Sequence, residues 1–198
     1  MRTDPEVMRL FDDAAAHLAD AGYEVAEVEL PQLDATFQLW ANLISTEITL
    51  LQAPQMRELG SAPFVGALEG ILHMATILDH AGYMQAMAYR SRLLREWLTF
   101  LETWPVILAP VSVRRTPALD ADLKGDAAVR DIFWNDLRFN AAISVLGLPV
   151  AVAPVGLAGG APVGVQLISS RYREDLCLAA AEAIEARVGV LAHRLWDR

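Results

Sequence analysis

The 198-residue sequence has a single lysine, Lys124, and a single cysteine, Cys177. One cysteine excludes an internal disulfide, and the opening residues MRTDPEVMRL lack the apolar stretch of a secretory signal, so we predict a cytoplasmic protein. No uncharged apolar run is long enough to predict a membrane-spanning helix, and we expect no membrane partner. Paired cysteine and histidine spacings typical of metal ligands are also missing. We therefore predict no metal site and no cofactor.

Basic side chains are scarce, with 16 lysines and arginines against 25 aspartates and glutamates and a formal net charge of -9. Such a chain repels a phosphate backbone, which excludes nucleic acid as a partner. Apolar residues are abundant, at 54% of the sequence. That content predicts apolar surface that a second copy of the chain or a partner chain would cover.

Periodicity and breaking residues predict alternating helices and strands. The predicted helices lie between Thr3 and Gly22 and over 33–59 with a break at Pro54, 82–103, 127–145 and 174–187, and the predicted strands cover 23–30, 106–109, 150–155 and 163–168. Glycines between the last two strands favour a hairpin, because glycine tolerates positive φ. The pattern predicts an α/β fold, a mixed β-sheet flanked by helices, in a single domain over residues 1–198.

Between Phe139 and Glu185 a set of glycines, prolines and polar residues stands out: Asn140, Gly147, Pro149, Pro154, Gly156, Pro162, Gly164, Gln166 and Asp175. With these residues the stretch resembles the carboxy-terminal signature of the amidase-signature hydrolases. A looser similarity extends back through ILAPVS to the opening TDPEVMRLFDDAAAHLADAGYEVAEVELP. The resemblance implies the carboxy-terminal half of an amidase domain, with a partial amidase-signature fold. Glycine and proline in these positions also have a backbone reason, since they shape turns and allow close approach of a neighbouring chain.

The resemblance implies an enzyme family that hydrolyses or transfers the acyl group of amides with a Ser–Ser–Lys triad in a Gly/Ser-rich segment. In that chemistry a deprotonated lysine acts as the base, and a serine attacks beside backbone amides. Lys124 instead stands among aspartates that favour its charged form, so we predict a surface residue. Ser169 and Ser170 follow a strand without a glycine-rich turn, and we predict that they cap a helix. We expect no catalytic residue in this chain.

The other reactive side chains have structural interpretations. We predict that Cys177 is a small buried residue facing the sheet. The four histidines accompany no nucleophile motif, and His17 is expected to be partly exposed within the first helix. A group of aspartates predicts a solvated acidic face rather than a cation site; its members are Asp120, Asp122, Asp126, Asp131 and Asp136.

Two aromatic residues are the candidate substrate-binding residues. The resemblance implies that this half of the domain helps to wall a substrate pocket, with Trp134 and Phe139 as lining residues; a role as core aromatics is the alternative. The leading hypothesis is the carboxy-terminal part of an amidase-type hydrolase, which takes a small-molecule amide when joined to the catalytic half and is inactive alone. The alternative is a non-catalytic truncated paralogue or subunit that binds a partner.

Overall fold

The structure is a computed structural model that describes residues 3–196, apart from the side chains of Arg194 and Leu195. The chain divides into two compact units. The sheet unit comprises Met1–Pro31, Glu96–Thr116 and Gly147–Arg198, and the helical unit comprises Gln32–Arg95 and Pro117–Leu146. The single domain expected from the sequence stays a prediction.

Nine α-helices and three strands lie within residues 3–196. The helices are α1 (Pro5–Asp20), α2 (Leu33–Leu51), α3 (Ala53–Leu59), α4 (Ala62–Leu72), α5 (His80–Thr103), α6 (Asp126–Asp131), α7 (Arg138–Leu146), α8 (Glu174–Val188) and α9 (Leu191–Trp196), and the strands are β1 (Val106–Pro110), β2 (Val150–Ala158) and β3 (Ala161–Ser169). A 3₁₀ turn at Ala121–Lys124 precedes α6, and a π-helical turn at Ile132–Asp136 follows it. Among these helices, none is long and apolar enough to cross a membrane.

The sheet unit is built on a three-stranded sheet in the order β1-β3-β2, and both pairings are antiparallel. The predicted hairpin is confirmed, because β2 and β3 are joined by Gly159 and Gly160, with φ of 58° and 84°. Two consecutive positive φ values are what a two-residue hairpin turn requires. The α/β class predicted from the sequence is also confirmed, but the three described strands form a small antiparallel sheet and not the mixed sheet that was predicted.

Helices α1 and α8 pack on one face of this sheet through aliphatic side chains. Helix α1 begins where predicted, since the Asp4 carboxylate caps it by accepting hydrogen bonds from the backbone N–H groups of Glu6 (2.9 Å) and Val7 (3.3 Å). Its buried residues repeat at helical spacing. They are Val7, Leu10, Ala14 and Leu18, and they meet Val165 and Leu167 of β3 and Ala180 and Ile184 of α8 in one core.

The close approach of a leucine side chain to a strand explains why one residue of the sheet is glycine. A Cβ atom added to Gly156 would lie 2.6 Å from Leu10 Cδ2, so α1 sits against the strand only because no side chain is there. The predicted close approach at Gly164 is present as well, because an added Cβ would lie 3.3 Å from Val152 Cγ1.

The strand predicted over 23–30 is wrong. These residues pair with no strand in the described chain, and most of them are exposed. Alternating apolar residues make a strand only where a neighbouring strand accepts its backbone hydrogen bonds.

The helical unit contains α2, α3, α4, the first part of α5, α6 and α7. The predicted break in 33–59 is confirmed, with Gln52 between α2 and α3 and Pro54 in the first turn of α3. The helix predicted over 127–145 is instead two helices, α6 and α7, separated by the π-helical turn at Ile132–Asp136. This turn places two consecutive aromatic side chains beside α2.

Candidate functional site

An aromatic cluster stands out in the helical unit. It consists of Phe37 and Trp40 from α2 with Phe133 and Trp134 from the π-helical turn. Phe37 and Trp40 are three residues apart, so they share one face of α2. The small buried side chains of Ala141 and Ala142 on α7 leave room for Phe37.

Two ring contacts join α2 to the π-helical turn. The Phe37 and Trp134 rings meet edge to face, with centroids 4.8 Å apart and planes at 85°. The Trp40 and Phe133 rings are stacked, with centroids 5.9 Å apart and planes at 19°. Phe37 is buried, whereas the other three rings are partly exposed. The cluster therefore combines a fixed base with ring faces that a flat apolar group can contact.

A cation lies next to this cluster in sequence and structure. Arg138 Nη1 donates to Asp34 Oδ1 at 2.7 Å, which joins the start of α7 to the first turn of α2. The same guanidinium lies 5.7 Å from the centroid of the Phe139 ring, within cation–π range. Phe139 thus packs against Arg138, while Trp134 belongs to the cluster itself. Their roles as substrate-binding residues stay predictions.

Sequence reasoning missed Phe37, Trp40 and Phe133 as members of this site. The sequence carries a signal for them, because an i,i+3 aromatic pair lies on a helix and two consecutive aromatics follow about ninety residues later. Pairing the two segments requires the tertiary contact between α2 and α7.

A second feature of the helical unit is an open groove of about 410 Å³ lined by residues of α2, of α5 and by Leu78 just before α5. Its polar groups are uncharged and come from Gln38, Asn42, Gln85 and Tyr89. At 100° per residue, Gln38 and Asn42 lie on the side of α2 opposite to the aromatic cluster. Asn42 Oδ1 already accepts hydrogen bonds from Gln38 Nε2 and from the Thr76 N–H, both at 3.0 Å. The groove is separate from the aromatic site, and its carboxamides are partly occupied with one another.

The residues considered for a serine–lysine mechanism have other surroundings. Lys124 is exposed at the end of the 3₁₀ turn, as predicted. The prediction that Ser169 and Ser170 cap a helix is wrong, because α8 begins after Arg173 without a side-chain cap. Ser169 is buried at the end of β3, and its hydroxyl donates to the Pro105 carbonyl oxygen at 2.7 Å. That serine joins β3 to the residue preceding β1.

Cys177 is buried against the sheet, as predicted. Its thiol donates to the Pro149 carbonyl oxygen at 3.5 Å. Burial raises the pKa of this thiol, and the nearby carboxylates of Glu174 and Asp175 act in the same direction. A raised pKa keeps sulfur in the protonated form, which is a poor nucleophile.

The acidic and imidazole side chains form no metal centre in the part of the chain that is described. His73 Nδ1 and Asp126 Oδ2 are 2.7 Å apart in an exposed pair. His17 is partly exposed, as predicted. The solvated acidic face predicted for the aspartates is wrong for Asp136, which is only 2% exposed in the π-helical turn. There the helix packs against its neighbours instead of facing water.

Comparison with known proteins identifies relatives along the whole chain. The family model for Amidase matches residues 1–178. Indoleacetamide hydrolase of Bradyrhizobium japonicum is 47% identical over 197 residues, which is 100% of this chain and 42% of that protein. A glutamyl-tRNA(Gln) amidotransferase subunit from Novosphingobium aromaticivorans is 27% identical over 209 residues, which is 93% of this chain and 42% of that protein. The chain spans about two fifths of the length of these curated relatives.

Solved structures have the same fold over this part of their chains. A crystal structure of an amidase matches with a TM-score of 0.73 and 27% identity, covering 93% of this chain and 42% of its own. The structure of 6-aminohexanoate cyclic dimer hydrolase complexed with substrate matches with a TM-score of 0.72 and 21% identity, covering 97% of this chain and 43% of its own. At that lower identity the likeness concerns the fold alone.

Proposed function

Because the chain belongs to the Amidase family, we propose that it is the carboxy-terminal portion of an amidase-type hydrolase that acts on the carbon–nitrogen bonds of amides. The 47% identity to an indoleacetamide hydrolase over 197 residues carries this proposal. Matches that cover 42–43% of larger chains support a role as part of a larger domain.

In this proposal the chain supplies scaffold and a wall of the substrate pocket. The sheet unit is the scaffold, and Trp134 with Phe139 lines the pocket from the helical unit. The substrate is an amide with a flat aromatic acyl group, such as indoleacetamide, because partly exposed rings around Phe37 offer faces for stacking. Arg138 fixes the position of Phe139 through its guanidinium.

The nucleophile and base come from a segment outside this sequence. Lys124 is exposed and Ser169 is committed to the Pro105 carbonyl, so neither is arranged as a base or a nucleophile. The chain alone is expected to leave amides intact.

A chimera tests the proposal directly. This chain would replace the 197 matched residues of the Bradyrhizobium japonicum indoleacetamide hydrolase. Hydrolysis of indoleacetamide by the chimera would be measured as the release of ammonia. The chimera should be active and the isolated chain inactive. A folded but inactive chimera, or turnover by the isolated chain, would contradict the proposal.

The pocket wall has its own test in the same chimera. Trp134→Ala should raise KM for indoleacetamide about threefold to tenfold, because a lost aromatic contact is worth about 0.5–1.5 kcal/mol. KM for acetamide, which has no ring, should change little. Trp196→Ala is the matched control, since that side chain is 77% exposed. An equal change in KM for indoleacetamide with the two substitutions would show that Trp134 does not line the pocket.

A second candidate function is a non-catalytic truncated paralogue or subunit that binds a partner. The observation that favours it is the set of exposed apolar side chains, among them Leu50, Leu51, Leu59 and Val152. A homo-oligomer or a partner chain would cover such surface. An inactive chimera together with a stable complex in sedimentation experiments would favour this candidate.

A further inference from the structure

The groove between α2 and α5 in the helical unit has the composition of a site for a neutral small molecule. Its volume of about 410 Å³ is that of an ordinary ligand pocket. Its lining combines aliphatic side chains with uncharged polar ones, and none of the described residues that line it is charged. A charged ligand would lose hydration there without meeting an ion of opposite sign. The groove therefore favours a neutral ligand.

Hydrogen bonds fix the orientation of the two α2 carboxamides that line the groove. A backbone N–H can only donate, so the atom of Asn42 that lies 3.0 Å from the Thr76 nitrogen is its carbonyl oxygen. The same oxygen accepts from Gln38 at 3.0 Å, so Gln38 contributes its Nε2 amino group. These two bonds leave the Asn42 Nδ2 amino group and the Gln38 Oε1 oxygen to face other partners.

The remaining two atoms are one donor group and one acceptor that the chain does not use. Within residues 3–196, neither Asn42 Nδ2 nor Gln38 Oε1 has a hydrogen-bond partner. Both side chains are half-buried in the wall of the groove, and neither atom is sealed in the core. A primary carboxamide is the complement of this pair, because it carries one carbonyl acceptor and one amino donor group.

The groove offers surroundings for binding an amide and no arrangement for cleaving it. Leu39, Leu78 and Ala86 supply aliphatic contact surface. Among the described residues that line the groove, the one hydroxyl belongs to Tyr89, and it donates to Gln32 Oε1 at 3.3 Å. No base adjoins this hydroxyl, so it is not activated as a nucleophile. A ligand held here would stay intact.

We propose that this groove binds a neutral primary carboxamide with an aliphatic chain, at a second site apart from the aromatic cluster. The ligand carbonyl accepts from Asn42 Nδ2, and the ligand amino group donates to Gln38 Oε1. A carboxylate has no donor for Gln38 Oε1, and its charge would be desolvated without compensation. The groove therefore distinguishes an amide from the acid formed when that amide is hydrolysed. This role goes beyond the proposed function, because no step of hydrolysis takes place in the groove.

Titration of the 198-residue chain with hexanamide and with hexanoate tests the inference. Hexanamide has no ring, so it does not report stacking on the aromatic cluster. Binding would be followed through the side-chain amino signals of Asn42 and Gln38 in proton–nitrogen NMR spectra, assigned by substitution. We expect hexanamide to shift both signals and to bind at least about tenfold more tightly than hexanoate.

Two substitutions on α2 separate the donor from the acceptor. Asn42→Asp keeps the oxygen that accepts from Thr76 and Gln38 and removes the amino group, so hexanamide binding should weaken at least about tenfold. Gln38→Met keeps the length of the side chain and removes the acceptor, so binding should weaken about threefold to tenfold. The second variant decides the matter if the first does not fold.

A pair of substitutions on α5 tests the position of the ligand. Ala86→Trp would fill the groove and should abolish hexanamide binding. Ala88→Trp is the matched control, since Ala88 is exposed on the same helix and is not a lining residue, and it should change binding less than about twofold.

Four results would overturn the inference. They are no shift on titration, equal binding of hexanamide and hexanoate, binding that neither α2 substitution weakens, and a dimer of the chain that Ala86→Trp dissociates. The last result would show that a second copy occupies the groove. Selective binding of hexanamide together with an inactive chimera would support this inference while contradicting the proposed enzymatic function.

Discussion

The sheet unit and the helical unit bury their apolar side chains in different ways. In the sheet unit, two helices pack aliphatic side chains onto a sheet, and Leu10 of α1 reaches the backbone at Gly156. In the helical unit, α2 and α7 meet around aromatic rings, three of which stay partly exposed. In the sheet unit, packing depends on a glycine that leaves room for the Leu10 side chain. In the helical unit, packing leaves ring faces that a ligand can contact. This difference explains why we place scaffold in one unit and a pocket wall in the other.

The largest expected effect on stability comes from removing the ring at the base of the aromatic cluster. Phe37→Ala should lower the free energy of unfolding by about 3–5 kcal/mol, because a buried phenyl ring is replaced by a cavity. Urea denaturation would measure the loss, and hydrogen exchange in α2 and α7 would locate it. Phe64→Ala in α4 is the control, since that ring is 44% exposed and should cost less than about 1 kcal/mol. Similar losses for the two variants would mean that the cluster is not the centre of the helical unit.

Replacing one glycine by alanine in each unit should change the stability of the protein in opposite directions. Gly156→Ala in the sheet unit should cost about 1–3 kcal/mol, since the new methyl group would lie 2.6 Å from Leu10 Cδ2. Gly66→Ala in α4 should stabilise the protein by about 0.5–1 kcal/mol, because the site is open and alanine favours a helix. Thermal and urea denaturation would measure both changes. Stabilisation by Gly156→Ala would show that α1 can move away from the hairpin at little cost.

The smallest expected effect is a pH dependence of the stability that Cys177 contributes in the sheet unit. Burial raises the pKa of Cys177 in the folded state, so the folded protein holds this proton more tightly than the unfolded chain does. Its contribution to stability is therefore complete below the unfolded thiol pKa of about 8.5 and is lost as pH rises through the folded value. The stability difference between the natural chain and Cys177→Ala should be constant from about pH 6 to 7 and should narrow at higher pH. Urea denaturation at several pH values would measure it, and a gap that widens above about pH 9 would contradict the assignment.

Local signals in the sequence predicted the elements that depend on neighbouring residues. The hairpin followed from two glycines between apolar strands, and the start of α1 followed from Asp4 and Pro5. The burial of Cys177 followed from the tendency of a free cysteine to be buried. The strand over 23–30 was wrong because alternation describes one face of a strand and not its partner. The burial of Asp136 was missed because the helix predicted through it is interrupted by the π-helical turn.

The candidate site was predictable only in part. The resemblance of the sequence to amidase-signature hydrolases pointed to Trp134 and Phe139, but Phe37 and Trp40 lie about one hundred residues earlier and came from the structure alone. Periodicity could place the earlier pair on one helix face, and no local rule could say which rings that face would meet.

By itself the sequence determined the hairpin and the start of α1, because each depends on side chains and backbone conformations a few residues apart, and the spacing of glycines and prolines between Phe139 and Glu185 indicated the family and the α/β class. Only the tertiary structure decided that four aromatic rings form one cluster, that Asp136 is buried, and that Gln38 and Asn42 line a groove with residues of α5. These features depend on contacts between segments far apart in the chain, and such contacts leave no fixed spacing in the sequence.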